Sequence, residues 1–322
     1  MAQKYSYHLL ITSPGGGETR DLTALVQSVT WAGDIRQTAR ELSAALAVPK
    51  DGSVELPPLE EGAWLTHQED GKPLFFGPLL QCSANSQSVL VSMSALDRGR
   101  FLVRNKGYYK FTGITPEEAA AAVCADFGIP VDRLAATGVR LTQNFPGKSL
   151  DNIIRTLYTL AGERNEKRYA MRFTGYGALQ VVEKPVKAGM AITQTMGVVN
   201  TWSIEKLQNR VAIYTDDGAL VRNVEDSASV RLNGVLSHVV VQKKGEDGES
   251  EAQAWLADHG LTQKLTVEVL NPPSSLIAGA AVELKDTGSG VTGLFWVDAD
   301  THTWKNGQHY GKFTLNFRNL TG

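Results

Sequence analysis

Several groups of residues in this 322-residue chain have side chains that could do chemistry, and each group asks for a different reaction. Gly147-Lys148-Ser149 stands just before a helical pattern, where a phosphate-binding G-x-x-x-x-G-K-[ST] loop would end. That pattern needs glycine at position 142, which is Thr142, and Pro146 stiffens the stretch whose N–H groups would face phosphate. Ser149 therefore reads as a helix N-cap. Asp216, Asp217, Asp298 and Asp300 would have to pair across a cleft to cleave a glycosidic bond, but turns and strand ends account for them. His302 and His309 flank Trp304 and could face each other across a hairpin turn at Asn306-Gly307. Their spacing fits no helical zinc motif and no third ligand stands out, so they read as a satisfied hairpin pair. Cys82 and Cys124 lie far apart, with no context for a nucleophile, a metal or a disulfide framework. No catalytic, cofactor-binding or metal-binding residue is assigned.

Two further groups could bind rather than react. Asp97–Phe111 interleaves Arg98, Arg100, Arg104, Lys106 and Lys110 with Phe101, Tyr108, Tyr109 and Phe111. Bases among aromatics can form a platform for single-stranded nucleic acid. In a chain of net charge -2, a connector with core aromatics and solvated charges is the better account. Trp64, Trp255 and Trp304 are the aromatics a carbohydrate-binding surface would use, though Trp255 sits with Ala252 and Leu256 on the apolar side of a helical pattern.

The elements that must position these residues are mostly β. Tyr5–Thr12 and Leu22–Trp31 read as strands joined by turn chemistry at Ser13-Pro14-Gly15-Gly16-Gly17. Ser28–Val48 reads as a strand end, a turn at Gly33 and an amphipathic helix, with Ile35, Ala39, Leu42 and Leu46 on one face. Asp34 would start that helix and Pro49 help to end it. Pro57-Pro58 opens a loop, and short strands follow from Ala63 to Leu96 as a meander. Residues 112 to 195 read as an α/β unit. Thr115-Pro116-Glu117-Glu118 starts one helix, ended by Gly128 and Pro130. A second runs from Ser149, buries Ile153, Ile154 and Leu157, and stops near Gly162. A hairpin turns at Gly175-Tyr176-Gly177. From residue 196 the pattern is β again, with a polar loop at Lys243–Gly248, a helix around Glu251–His259, and closing strands to Phe317.

The chain also echoes itself. Gly62–Asp97 and Gly279–Arg318 share Gly-Ala, a strand, an acidic-Gly turn, a strand with paired aromatics, a polar turn and a closing alternating strand. Upstream of them, VTWAGDIRQTAREL and VNTWSIEKLQNRV each place Ile a few residues after Trp. This is the mark of two copies of one small β-domain with the α/β unit between them. The fold class expected is α+β, mostly β, with domains at 1–100, 101–195 and 196–322. The last carries a smaller inserted subdomain at about 219–270.

In order along the chain, VTWAGDIRQTARELSAALA, the FFG strand, ALDRGRFLVRN, YYKFTGITPEEAAAAVCADFGIP, GKSLDNIIRTLYTLAG and DADTHTWKNGQHYGKFTLNF resemble the XkdQ/YqbQ-type proteins of phages and defective prophages. The resemblance runs nearly end to end. It implies a baseplate hub of a contractile tail, a homotrimer whose subunits each give two tail-tube-like β-barrels to a pseudo-hexameric ring. Its implied partners are the tail tube or tube-initiator protein above and the central spike below, with the tape measure protein a further candidate. No specific nucleic-acid binding, stable membrane association or cofactor is expected. The resemblance places the protein in the virion or tail-like particle, assembled in the bacterial cytoplasm. The N-terminus MAQKYSYHLLITSPGG has too short an apolar run for a signal peptide. Trp31, Ile35, Ala39, Leu42 and Leu46 are the candidate interface residues. A tail-associated cell-wall hydrolase and a carbohydrate-binding tail module are the alternative functions.

Overall fold

In the computed structural model, which describes residues 6–54, 59–85, 87–242 and 248–316, strands dominate. Pro57-Pro58, residues 243 to 247 of the polar loop, and the strand and echo ends at Tyr5, Phe317 and Arg318 lie outside the described residues. The chain divides into two compact units, 1–198 with 266–322, and 199–265.

Both echoing stretches of the first unit fold on one plan. Trp64–Glu69, Lys72–Ala84 and Leu90–Leu96 form an antiparallel meander, and so do Ala281–Asp286, Val291–Lys305 and Gln308–Asn316. In each, the long middle strand pairs with the preceding strand over its first half and with the following strand over its second. The meanders are joined by Val26–Asp34, which pairs with Glu41–Ala47 on one side and with Ala299–Lys305 on the other. Strands from both ends of the chain thus share one 13-stranded sheet. Near the start, Tyr7–Thr12 turns back onto Thr19–Asp21 rather than onto the next long strand.

The helix expected at Ile35–Leu46 is not formed, because that stretch is the loop and second strand of a hairpin. The step of four from Leu42 to Leu46 also fits a period of two. Leu42, Ala44 and Leu46 are buried while Glu41, Ser43 and Ala45 are not. The paired strands Val26–Asp34 and Leu90–Leu96 flank this run and take up its backbone groups, which decides the ambiguity in favour of a strand. Asp34 serves the turn instead, its Oδ1 accepting from Arg36 N at 2.8 Å.

Between the meanders lies the α/β part, with its own core of Phe111, Val123, Leu141, Ile153, Leu157 and Val181 among others. The helix Pro116–Asp126 has the expected cap. Thr115 Oγ1 accepts from Glu118 N, and Glu118 Oε2 accepts from Thr115 N at 3.0 Å. Leu150–Asn165 follows Ser149 as N-cap and runs past Gly162, which is buried where a Cβ would lie 2.5 Å from Lys167 O. That glycine serves close packing rather than a helix stop. The basic stretch after Asp97 is a short helix, Gly99–Arg104, leading into the strand Lys106–Ile114.

The second unit has a three-stranded sheet of Leu220–Glu225, Arg210–Thr215 and Ser237–Gln242, and two helices, Ser227–Asn233 and Gly248–Asp258. Its core is small, with Val211, Ile213, Val240 and Ala252 fully buried.

Candidate functional site

Of the residues singled out in the sequence for chemistry, Asp300, His302, Trp304 and His309 come together, at the seam where the two meanders meet in the first unit. His302 and Trp304 lie on the strand Val291–Lys305, His309 on Gln308–Asn316 and His67 on Trp64–Glu69, all within about 1% of complete burial. The hairpin turn at Asn306-Gly307 does bring His302 and His309 together, with 2.9 Å between Nδ1 and Nε2. His302 Nε2 lies 2.9 Å from the Leu276 carbonyl and must donate to it. In the neutral ring, Nδ1 then accepts from His309 Nε2–H. Trp304 stacks on His309 at 4.3 Å and meets the edge of His67 at 4.4 Å.

Burial keeps these imidazoles neutral. It holds the His67 pKa down to about 3 and that of His302 to about 4. His309 is held to about 3 by burial and by the two neighbouring imidazoles. The cluster is closed to solvent, and no group of three His, Cys, Asp or Glu among the described residues is disposed to hold a metal. What it can do is hold strands from both ends of the chain in one register.

A second anchor lies beside it. Arg40 donates through Nη1 and Nη2 to the two carboxylate oxygens of Asp300, and its guanidinium lies 4.0 Å above the Trp31 ring. Asp300 also accepts from Ala278 N at 2.7 Å. Arg40 follows the loop Ile35–Ala39, which the α/β helix grips. Arg155 donates to Ile35 O and Thr38 Oγ1, and Thr38 Oγ1 donates to Asp151 Oδ2 at 3.1 Å.

The five candidate interface residues are placed by this hairpin. Trp31 and Leu42 are direct partners across the ladder, and with Leu46 they face the core at 5%, 0% and 0% exposure. They have no side-chain surface for a neighbouring subunit. Ile35 lines a small cleft with Arg155 and Tyr158, and Ala39 is half-buried.

The other candidates are spent locally. Asp217 accepts from Thr215 in its own turn, Asp298 accepts from Asn316 Nδ2, and Asp300 is paired with Arg40. Trp64 stacks on Phe76 at 4.7 Å, and Trp255 stacks on His238 and His259 at 3.7 and 4.0 Å. The Trp304 ring is buried. In the basic stretch, Phe111 is core and Tyr109 stacks on it, while Tyr108 alone of the four aromatics is exposed. Cys124 is buried and its thiol pushed up to about 11, far from a thiolate. No helix among the described residues is long and apolar enough to cross a membrane.

What sequence reasoning missed is Arg40, Asp300's partner, and His67, the third imidazole. Both act through residues more than 200 positions away, and no spacing rule reaches that far.

Comparison with known proteins covers almost the whole chain. The family model described as YQBQ-like matches residues 29–316. The phage-like element PBSX protein XkdQ of Bacillus subtilis is 23% identical over 305 residues, covering 91% of this chain and 92% of that protein. Among solved structures, the 43 kDa tail protein of prophage MuSo2 from Shewanella oneidensis superposes with a TM-score of 0.69 at 13% identity. The match covers 96% of this chain and 98% of that one. A tail protein from Neisseria meningitidis gives a TM-score of 0.69 at 16% identity, covering 96% of each chain.

Proposed function

Since the chain belongs to the YQBQ-like family, we propose that it is a structural hub in the baseplate of a contractile phage tail or tail-like particle. In this reading it is a homotrimer that adapts a six-fold tail tube to a three-fold central spike. The observation that carries the reading is the end-to-end fold match, 96% of this chain on 98% of a prophage tail protein. Two meanders of one plan in each subunit support it, because three subunits with two tube-like barrels each supply six positions to a ring. The buried histidine seam and the Arg40–Asp300 pair then have a mechanical role. They lock the two copies together within a subunit, so that the subunit meets tube and spike as one piece.

The work of such a hub is binding and symmetry matching, with no bond made or broken. Native mass spectrometry of the purified protein with its spike protein checks the reading, and trimers or trimer–spike complexes are expected. A protein that stays strictly monomeric with the spike present would sink it.

A further inference from the structure

The 199–265 unit is about a fifth of the chain, yet it holds nearly half of the exposed large apolar side chains among the described residues. Its own core is too small to use them. Two of its strands matter most. Gly197–Ser203, which enters the unit, ends the 13-stranded sheet, and Ser237–Gln242 ends the three-stranded one. Each leaves one row of backbone N–H and C=O groups with no strand beside it among the described residues.

Proteins guard such edges with charge, proline or shortness. The other edge strands here follow that rule. Leu220–Glu225 carries Arg222 and Glu225, Val131–Leu134 carries Asp132 and Arg133, and Tyr169–Phe173 carries Arg172. Lys106–Ile114 and Leu141–Ser149 carry lysines, and Thr19–Asp21 and Met190–Ile192 have three residues each. Among the described edge strands longer than three residues, only GVVNTWS and SHVVVQ lack Lys, Arg, Asp, Glu and Pro altogether. Both are rich in valine, a residue that favours strands, as a strand awaiting a partner would be. None of the seven residues of Gly197–Ser203 is buried, and Trp202 is 68% exposed. On Ser237–Gln242, Val239 and Val241 are more than half exposed.

We infer that these two unguarded edges pair with each other between copies of this chain, Gly197–Ser203 of one subunit against Ser237–Gln242 of the next. A two-fold contact joins like to like, whereas a three-fold ring needs two different patches that fit each other. The described residues carry two different unguarded edges, which is what a ring requires of each subunit. Trp202 is the anchor, a large exposed aromatic of the type that dominates interface energetics. Added strands draw affinity from main-chain hydrogen bonds and specificity from alternate side chains. The inference rests on the trimeric hub reading and names the strands that build it.

The test uses the full chain with its spike protein present. Native mass spectrometry compares wild type with Trp202→Lys, Val241→Lys and a control on a helix of the same unit, Leu232→Lys. Both edge variants should lose the trimer at a concentration where wild type and the control keep it. Hydrogen exchange on the wild type is the arm free of mutation. Amides of residues 197–203 and 237–242 should be protected in the trimer and lose that protection on dilution to monomer. A trimer that survives both edge substitutions, or exchange that is unchanged in both segments, overturns the pairing and leaves the hub reading standing. Lost spike binding with an intact trimer assigns the edges to the spike and also overturns it. A wild type that stays monomeric on its spike overturns the hub reading and the pairing together.

Discussion

Arg40 and Asp300 are 260 positions apart and meet in a bidentate pair almost out of contact with water. Such a pair costs solvation on both sides, so its removal from one side is expensive. Asp300→Asn takes the bidentate carboxylate partner from the guanidinium over Trp31 and should destabilise the fold by about 3–5 kcal/mol in denaturant titration. The histidine seam makes a pH-dependent prediction. His67, His302 and His309 titrate at about 3 to 4 in the fold, against an ordinary value of 6.5. Neutral rings are favoured in the folded state, so their contribution is complete above pH 6.5 and falls away as pH drops from there toward 4. Asp97 works in the opposite direction. Burial raises its pKa to about 7, so its charge costs stability at neutral pH and protonation relieves that cost. His67→Phe isolates the imidazole part, and its melting temperature should fall less between pH 7 and pH 4 than that of wild type. Equal falls in the two proteins would assign the acid sensitivity elsewhere. Sequence spacing foresaw the contact of His302 with His309, because seven residues around an Asn-Gly turn are local geometry. It could not foresee His67 or Arg40, whose partners are set by the pairing of distant strands.

At the scale of elements, local rules worked where the element closes on itself. The capping box at Thr115, Pro116 at the first helical position and the apolar face of Leu150–Asn165 were all legible, because a helix satisfies its backbone within its own sequence. The misread helix at Ile35–Leu46 is the converse case. Ala44, Ala45 and Ala47 favour helix, and only the strands on either side supply a ladder that outweighs them. Gly77 shows how tight that ladder is. It sits where Lys72–Ala84 changes partner from Trp64–Glu69 to Leu90–Leu96, and a Cβ there would lie 2.1 Å from Leu96 O. The neighbour is backbone and cannot rotate away. Gly77→Ala should therefore cost roughly 3 kcal/mol, the upper end for an overpacked site, measured as a lowered denaturation midpoint. A substitution cost near zero would mean that the crossing can relax.

At the scale of the whole molecule, the second unit is one continuous stretch inserted into the sequence of the first. The chain leaves the first unit after Val198 and returns at Thr266, and Met196 N donates to Glu268 O at 2.7 Å, so exit and return are adjacent. Replacing residues 199–265 by a short Gly-Ser linker should leave the first unit folded, with a single cooperative transition in calorimetry. Failure of that shortened chain to fold would show that the core of the first unit depends on the insertion. The sequence by itself determined the β-rich class, the capped helices of the α/β part, the doubled meander and the family resemblance. Each of these is written in local periodicity, turn chemistry or the order of short patterns. The tertiary structure alone decided that Ser28–Val48 is a hairpin, that Trp31, Leu42 and Leu46 are core, and that Arg40 meets Asp300 beside the histidine seam. It also decided which strands are left unpaired at the edges of the sheets. The physical reason is that a strand finds its hydrogen bonds and its burial in other segments, so its state follows from partners that local sequence does not name.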